Sequence, residues 1–231
     1  NVGIMFDDRY RRMQIHWLTD KKEIRMELAG DMPGIAIYSC KRLGNRITKE
    51  LKQWMAGADG NDLLRGNCAI ALGLIGDQAC LPVLRDIVRN RDSFYYKDNR
   101  RTNQLRTVIA IYLAGKLGDM ELVPMLKEIL LGEQEYEKGL YHEITKTSYH
   151  FNPNRNFNEI YFQVVSYAAV SLIRIMEKHP ENPKFRKEGR KILKEAFGDD
   201  SHIRKTTSMP EGTFEYASME NIRDYVNHYC H

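Results

Sequence analysis

"ALGLIGDQACLPVL" (71–84) and "LAGKLGDMELVPML" (113–126) are two passages of one chain that align without a gap at an offset of 42 residues, from Asp77 to Asp119. Gly73 pairs with Gly115, Gly76 with Gly118, Pro82 with Pro124, Leu84 with Leu126 and Ile87 with Ile129. Self-similarity at a fixed period is the mark of a repeat architecture. Each shared residue has a mechanical role. Gly76 and Gly118 stop a helix, because glycine enters the left-handed conformation without a Cβ penalty. Asp77 and Asp119 then cap the next helix with a carboxylate that accepts from exposed backbone N–H groups. Pro82 and Pro124 fall in the first turn of that helix, where a missing N–H removes no bond.

Apolar residues recur at helical spacing on both sides of the turn. Leu64, Cys68, Ala71, Leu72 and Ile75 precede it in the first copy, and Leu81, Leu84, Ile87 and Val88 follow. The second copy offers Leu105, Ile109, Tyr112, Leu113 and Leu117, then Val123, Leu126, Ile129 and Leu130. Ahead of the glycines the stripe slips by about one residue between copies, so equivalence is firm only from Gly73 and Gly115 onward. The Leu-Gly-x-x-Gly-Asp step with its apolar–Pro–x–Leu sequel resembles HEAT-like repeats of the phycocyanobilin-lyase type. That resemblance implies an all-α fold, an α-α superhelix (α-solenoid) of three to four helix pairs with two loop insertions.

Other segments fit the same plan around those two copies. Residues 1–19 form a flank and 20–60 a degenerate repeat. There Asp20 and Glu23 predict a capping box, Pro33 opens a helix and Gly44–Asn45 replaces Gly–Asp. The segment "ITKELKQWM" supplies the partner helix. The two clear repeats occupy 61–131, interrupted by an insertion at 90–103 ("NRDSFYYKDNRRTN"), and a second insertion follows at 132–158. A third helix pair is expected over 159–197, and a tail or capping helix over 198–231. All of this is read as a single helical-repeat domain.

Composition narrows the function classes. The 231 residues carry 35 Lys and Arg against 31 Asp and Glu, a net charge of +4 that permits nucleic-acid contact without demanding it. No apolar run approaches the roughly 20 residues of a membrane helix, so no membrane role is expected. Cys40, Cys68, Cys80 and Cys230 show no CxxC pairing, and Cys40 and Cys68 sit on apolar stripes. Buried free thiols favour a reducing compartment, the cytoplasm. The chain opens on Asn1 rather than Met, so the absence of a secretory signal at its start excludes nothing.

Catalytic signatures are absent: there is no Gly-rich phosphate loop and no nucleophile elbow. The insertions, which collect on one face of a repeat array, hold the candidate binding residues. In the first, Tyr95 and Tyr96 lie beside Arg100 and Arg101, a basic–aromatic mixture suited to stacking bases and neutralising phosphates. Certain alkyl-base DNA glycosylases are single HEAT-like domains of similar size, but their aromatic-lined cleft finds no counterpart around Trp17 or Trp54. The second insertion holds Tyr141, His142, Tyr149 and His150. His142–Glu143 is similar to the His–Glu pairs that hold iron in deoxyhypusine hydroxylase. One such pair falls short of a ligand set, so no metal site is expected.

A second resemblance lies in the flank. His16-Trp17-Leu18, Asp20, Pro33-Gly34-Ile35-Ala36-Ile37 and Arg42-Leu43-Gly44 resemble a region of bacterial FAD-dependent oxidoreductases, in which a flavin domain precedes HEAT-like repeats. It implies FAD in a parent protein and no cofactor in this chain. The expectation is a non-catalytic interaction or scaffolding domain whose partner is another protein or a neighbouring domain. An accessory region of an FAD-dependent oxidoreductase and a nucleic-acid-binding protein are the alternatives.

Overall fold

A computed structural model describes residues 16–30, 33–89, 100–132, 153–198, 201 and 214–230, with backbone alone over 100–105, 153–163 and 214–220. The described residues are helical and contain no strand. Ten α-helices follow one another: α1 (Lys21–Leu28), α2 (Gly34–Leu43), α3 (Thr48–Ala56), α4 (Asp62–Ile75), α5 (Leu81–Arg89), α6 (Arg100–Leu117), α7 (Val123–Leu131), α8 (Pro153–Lys178), α9 (Pro183–Ala196) and α10 (Phe214–Cys230). None is long and apolar enough to cross a membrane. The chain divides into two compact units, Asn1–Leu113 and Ala114–His231, with the division inside α6.

In the first unit α4 is the central element. It packs against α1, α2, α3 and α5, and Leu64 and every residue from Gly66 to Gly73 are buried. That explains why its apolar stripe reads as too narrow in the sequence. A helix enclosed by four neighbours buries Ala69, Ile70 and even the polar Asn67 as well. Asn67 Nδ2 donates to the carbonyls of Leu28 (2.8 Å) and Gly30 (3.1 Å), satisfying acceptors left over at the C-terminus of α1. Asp20 caps the other end of α1, accepting from the backbone N–H groups of Lys22 and Glu23. The flank is tied down too: Leu18 N–H donates to Ser39 Oγ at 3.0 Å, and the Arg42 guanidinium stands 4.6 Å over the Trp17 ring.

The second unit is built from the end of α6 with α7, α8, α9 and α10. Helix α7 packs on α8 and α9, and α10 packs on both α8 and α9. Ala168, Ala169, Leu172, Ile175 and Met176 of α8 are fully buried. On α9 the inward stripe is Phe185, Gly189, Ile192, Leu193 and Ala196.

Two boundaries differ from the expected ones. Helix α6 begins at Arg100, inside the first insertion, and α8 begins at Pro153, inside the second. "RRTN" contains no helix breaker, and a proline suits the first helical position, so both helices extend backwards beyond their apolar stripes. Helix α10, Phe214–Cys230, falls inside the segment expected to hold a tail or capping helix.

Candidate functional site

The two repeat turns share their glycine conformation, their closing bond and their cap. Gly76 (φ +99°) and Gly118 (φ +82°) both take the left-handed conformation. Asp77 N–H returns to Leu72 C=O and Asp119 N–H to Ala114 C=O, each at 3.0 Å, which is the bond that closes a helix of this type. The aspartates then cap short 3-10 turns, 78–80 and 120–122, rather than the α-helices directly. Asp77 Oδ1 accepts from Ala79 N–H at 2.9 Å, and Asp119 Oδ1 from Glu121 N–H at 3.2 Å. Pro82 and Pro124 are the second residues of α5 and α7. Beyond them burial keeps the same register: Val83, Leu84, Ile87 and Val88 in α5, and Met125, Leu126, Ile129 and Leu130 in α7.

The surroundings of the two turns differ. Asp77 Oδ2 pairs with Lys52 Nζ at 2.7 Å. Partial burial pushes the Asp77 carboxyl up, but the bonds from Lys52 and from Ala79 N–H outweigh it and hold the group below its ordinary value. Asp77→Ala is expected to cost about 1 kcal/mol, read as a lower denaturant midpoint. With a depressed folded pKa, that contribution is present above the unfolded pKa and is lost as pH falls through the folded one. At the second turn the neighbouring group is His179, which meets the backbone of the glycine and not the aspartate. Its Nε2 lies 2.9 Å from Gly118 C=O and its Nδ1 3.1 Å from Glu181 Oε1. The bond to Gly118 and then the one to Glu181 raise the His179 pKa above 6.5, against smaller opposing contributions from burial and Lys178. The increment from His179 is therefore full below the unfolded pKa and fades as pH rises through the folded one. A proton-NMR titration should place His179 above 6.5, and His179→Gln should remove this part of the pH dependence of stability.

Gly73 and Gly115 have a role that sequence alignment marks without explaining. A Cβ on Gly73 would sit 3.0 Å from Leu113 Cδ1, and one on Gly115 would sit 2.7 Å from Ser171 Cα. At equivalent positions of the two copies, each glycine admits a residue of a later helix to its own backbone. Gly189 of α9 does the same for the Met176 side chain of α8.

Of the candidate binding residues, Arg100 and Arg101 are the first two residues of α6, not part of a loop. Tyr95, Tyr96, Tyr141, His142, Tyr149 and His150 lie outside the described residues. Among the described residues no three His, Cys, Asp or Glu side chains gather in a metal-ligand group. All four cysteines are buried and free. Burial pushes the Cys40 and Cys68 thiols up to about 12, so they are poor nucleophiles. A depression of about 410 Å³ lies by Met55, Asp59, Asp62, Arg65 and Val83, and Arg65 is already paired with Asp86 at 2.7 Å. The FAD of the flank resemblance is expected in a parent protein and not in this chain. Holding its pyrophosphate in the usual way takes a strand–turn–helix cradle, and the described residues contain no strand.

One surface was missed by sequence reasoning. Helix α9 carries six basic and two acidic residues, an excess equal to the +4 of the whole chain. With Phe185, Gly189, Ile192, Leu193 and Ala196 turned inward, Lys184, Lys187, Lys191 and Lys194 are left exposed together on the outer side. Arg186 and Arg190 border them, half-buried, and Arg190 stands 5.8 Å over the Tyr229 ring of α10. Comparison of the chain with protein-family models, with curated proteins and with solved structures gives no match.

Proposed function

We propose that the chain is a non-catalytic interaction or scaffolding domain whose helix pairs are HEAT-like repeats of an α-solenoid, and that it serves a protein partner or a neighbouring domain of the same polypeptide. One observation carries this: a turn of seven residues, built with the same left-handed glycine, the same capping aspartate and the same second-position proline, occurs twice at a 42-residue offset. Such pairs bury one face against their neighbours and leave the other as an extended surface, whose usual work is binding. Asp77 and Asp119, the carboxylates of the two turns, serve as caps.

Repeat arrays gain stability from nearest neighbours, so they tolerate added units. A chain with one extra copy of residues 72–113 inserted after Leu113 should fold with proportionally more helix and an undiminished melting temperature. Aggregation or loss of helix per residue would refute the repeat assignment. Quantitative cross-linking in cells that express the protein should recover a partner in stoichiometric amount. Finding only the free chain would overturn the scaffolding role.

A further inference from the structure

We infer that the outer face of α9 binds the phosphate backbone of a single-stranded nucleic acid, with Tyr225 of α10 as a platform for a base. This rests on the binding-domain reading above and names a ligand class for one surface of it. Lys184, Lys187, Lys191 and Lys194 are spaced three, four and three residues apart along one side of the helix, a run of about 15 Å. Ordinary solvated faces neutralise such lysines with carboxylates one turn away. Glu188 and Glu195 are in sequence positions to do this, yet none of the six basic side chains of α9 forms a salt bridge among the described residues. By contrast, Lys21, Lys52 and Arg65 in the first unit are each paired with Glu50, Asp77 and Asp86. The Nε atoms of Arg186 and Arg190 are shielded from solvent and lack a hydrogen-bond partner.

Three features select the ligand. Flexible lysines suit a run of phosphates read as point charges, without base specificity. Tyr225 is 48% exposed, one of the few large apolar side chains so placed. It sits one turn before Tyr229, on the same side of α10 as the ring beneath Arg190. A basic surface beside an exposed aromatic ring is a usual means of holding unpaired strands, since every base has a face to stack. A membrane surface is the poorer fit, because the apolar side of α9 is spent in the core and leaves nothing to enter the lipid.

The test is fluorescence anisotropy with a labelled oligothymidylate, between about 50 and 200 mM salt. Binding should weaken with a log–log slope of about −3, roughly −0.7 for each of four phosphates. The variant K184E/K187E/K191E/K194E, checked for an unchanged circular dichroism spectrum and melting temperature, should lose more than about a hundredfold in affinity. Tyr225→Ala should lose roughly tenfold with an unchanged salt slope. No binding at low salt, or binding that survives the lysine reversal, overturns the proposal. So does equal binding to phosphatidylserine vesicles with no effect of Tyr225→Ala. The oligonucleotide is recovered and sized afterwards. Cleavage would sink the non-catalytic reading and leave the surface assignment standing, whereas lost binding removes the surface alone.

Discussion

Asn67→Asp is expected to destabilise the first unit by about 3 kcal/mol or more near pH 7. Asn67 is fully buried, and its amide nitrogen donates to two carbonyls, Leu28 O and Gly30 O. A carboxylate of the same shape brings a charge into the core and aims it at two acceptors, with no donor to either. Burial and the facing carbonyls must raise its folded pKa above the unfolded value of about 3.9. The sign follows: the variant is least affected below that value, where the protonated acid still donates to one carbonyl, and it loses stability as pH rises. Denaturant unfolding near pH 4 and near pH 7 checks this. Equal loss at both pH values would mean that the charge reaches water and that α4 is not enclosed as described. Asn67→Ala removes the donors without adding charge, so its loss should be smaller and independent of pH.

Gly115→Ala is the second large effect, and two principles disagree on its sign. Gly115 lies within α6, where Ala is the better helix former by about 1 kcal/mol. The added methyl would, however, overlap Ser171, including its backbone Cα at 2.7 Å. Backbone cannot turn aside as the end of a flexible side chain can, so packing decides. Overpacking costs about 1–3 kcal/mol; the upper end applies to an overlap with backbone, and subtracting the roughly 1 kcal/mol of helix propensity leaves a net loss of about 2 kcal/mol. That corresponds to roughly 4–8 °C in melting temperature for a chain of this size. Adding Ser171→Gly relieves the contacts to Cβ and Oγ and should recover part of the loss. A Gly115→Ala variant that melts higher than the parent would show that α6 and α8 do not approach this closely.

These two positions mark how far the sequence could be read. Asn67 is polar and falls inside an apolar helix, where periodicity treats it as an interruption. Its two acceptors lie 37 and 39 residues away. Gly115 could be matched to Gly73 by alignment, but its neighbour Ser171 belongs to α8, across the second insertion. The lysines of α9 were in plain view as letters. Their exposure on one side depends on which face α9 turns to α7, α8 and α10. Boundaries failed for a simpler reason: helices α6 and α8 begin ahead of the apolar residues used to find them.

By itself the amino-acid order determined the all-helical class, the turns at Gly76–Asp77 and Gly118–Asp119, and the register of α5 and α7. Those features are local: a left-handed glycine, a capping carboxylate and a proline act on neighbours within a few residues, so their chemistry is complete in a short stretch of chain. Only the tertiary structure decided that Asn67 serves the end of α1, that Gly115 receives Ser171, that His179 reaches Gly118, and that four lysines stand exposed together on α9. Each of these depends on atoms brought together from distant parts of the chain, and packing, not spacing along the sequence, sets those distances.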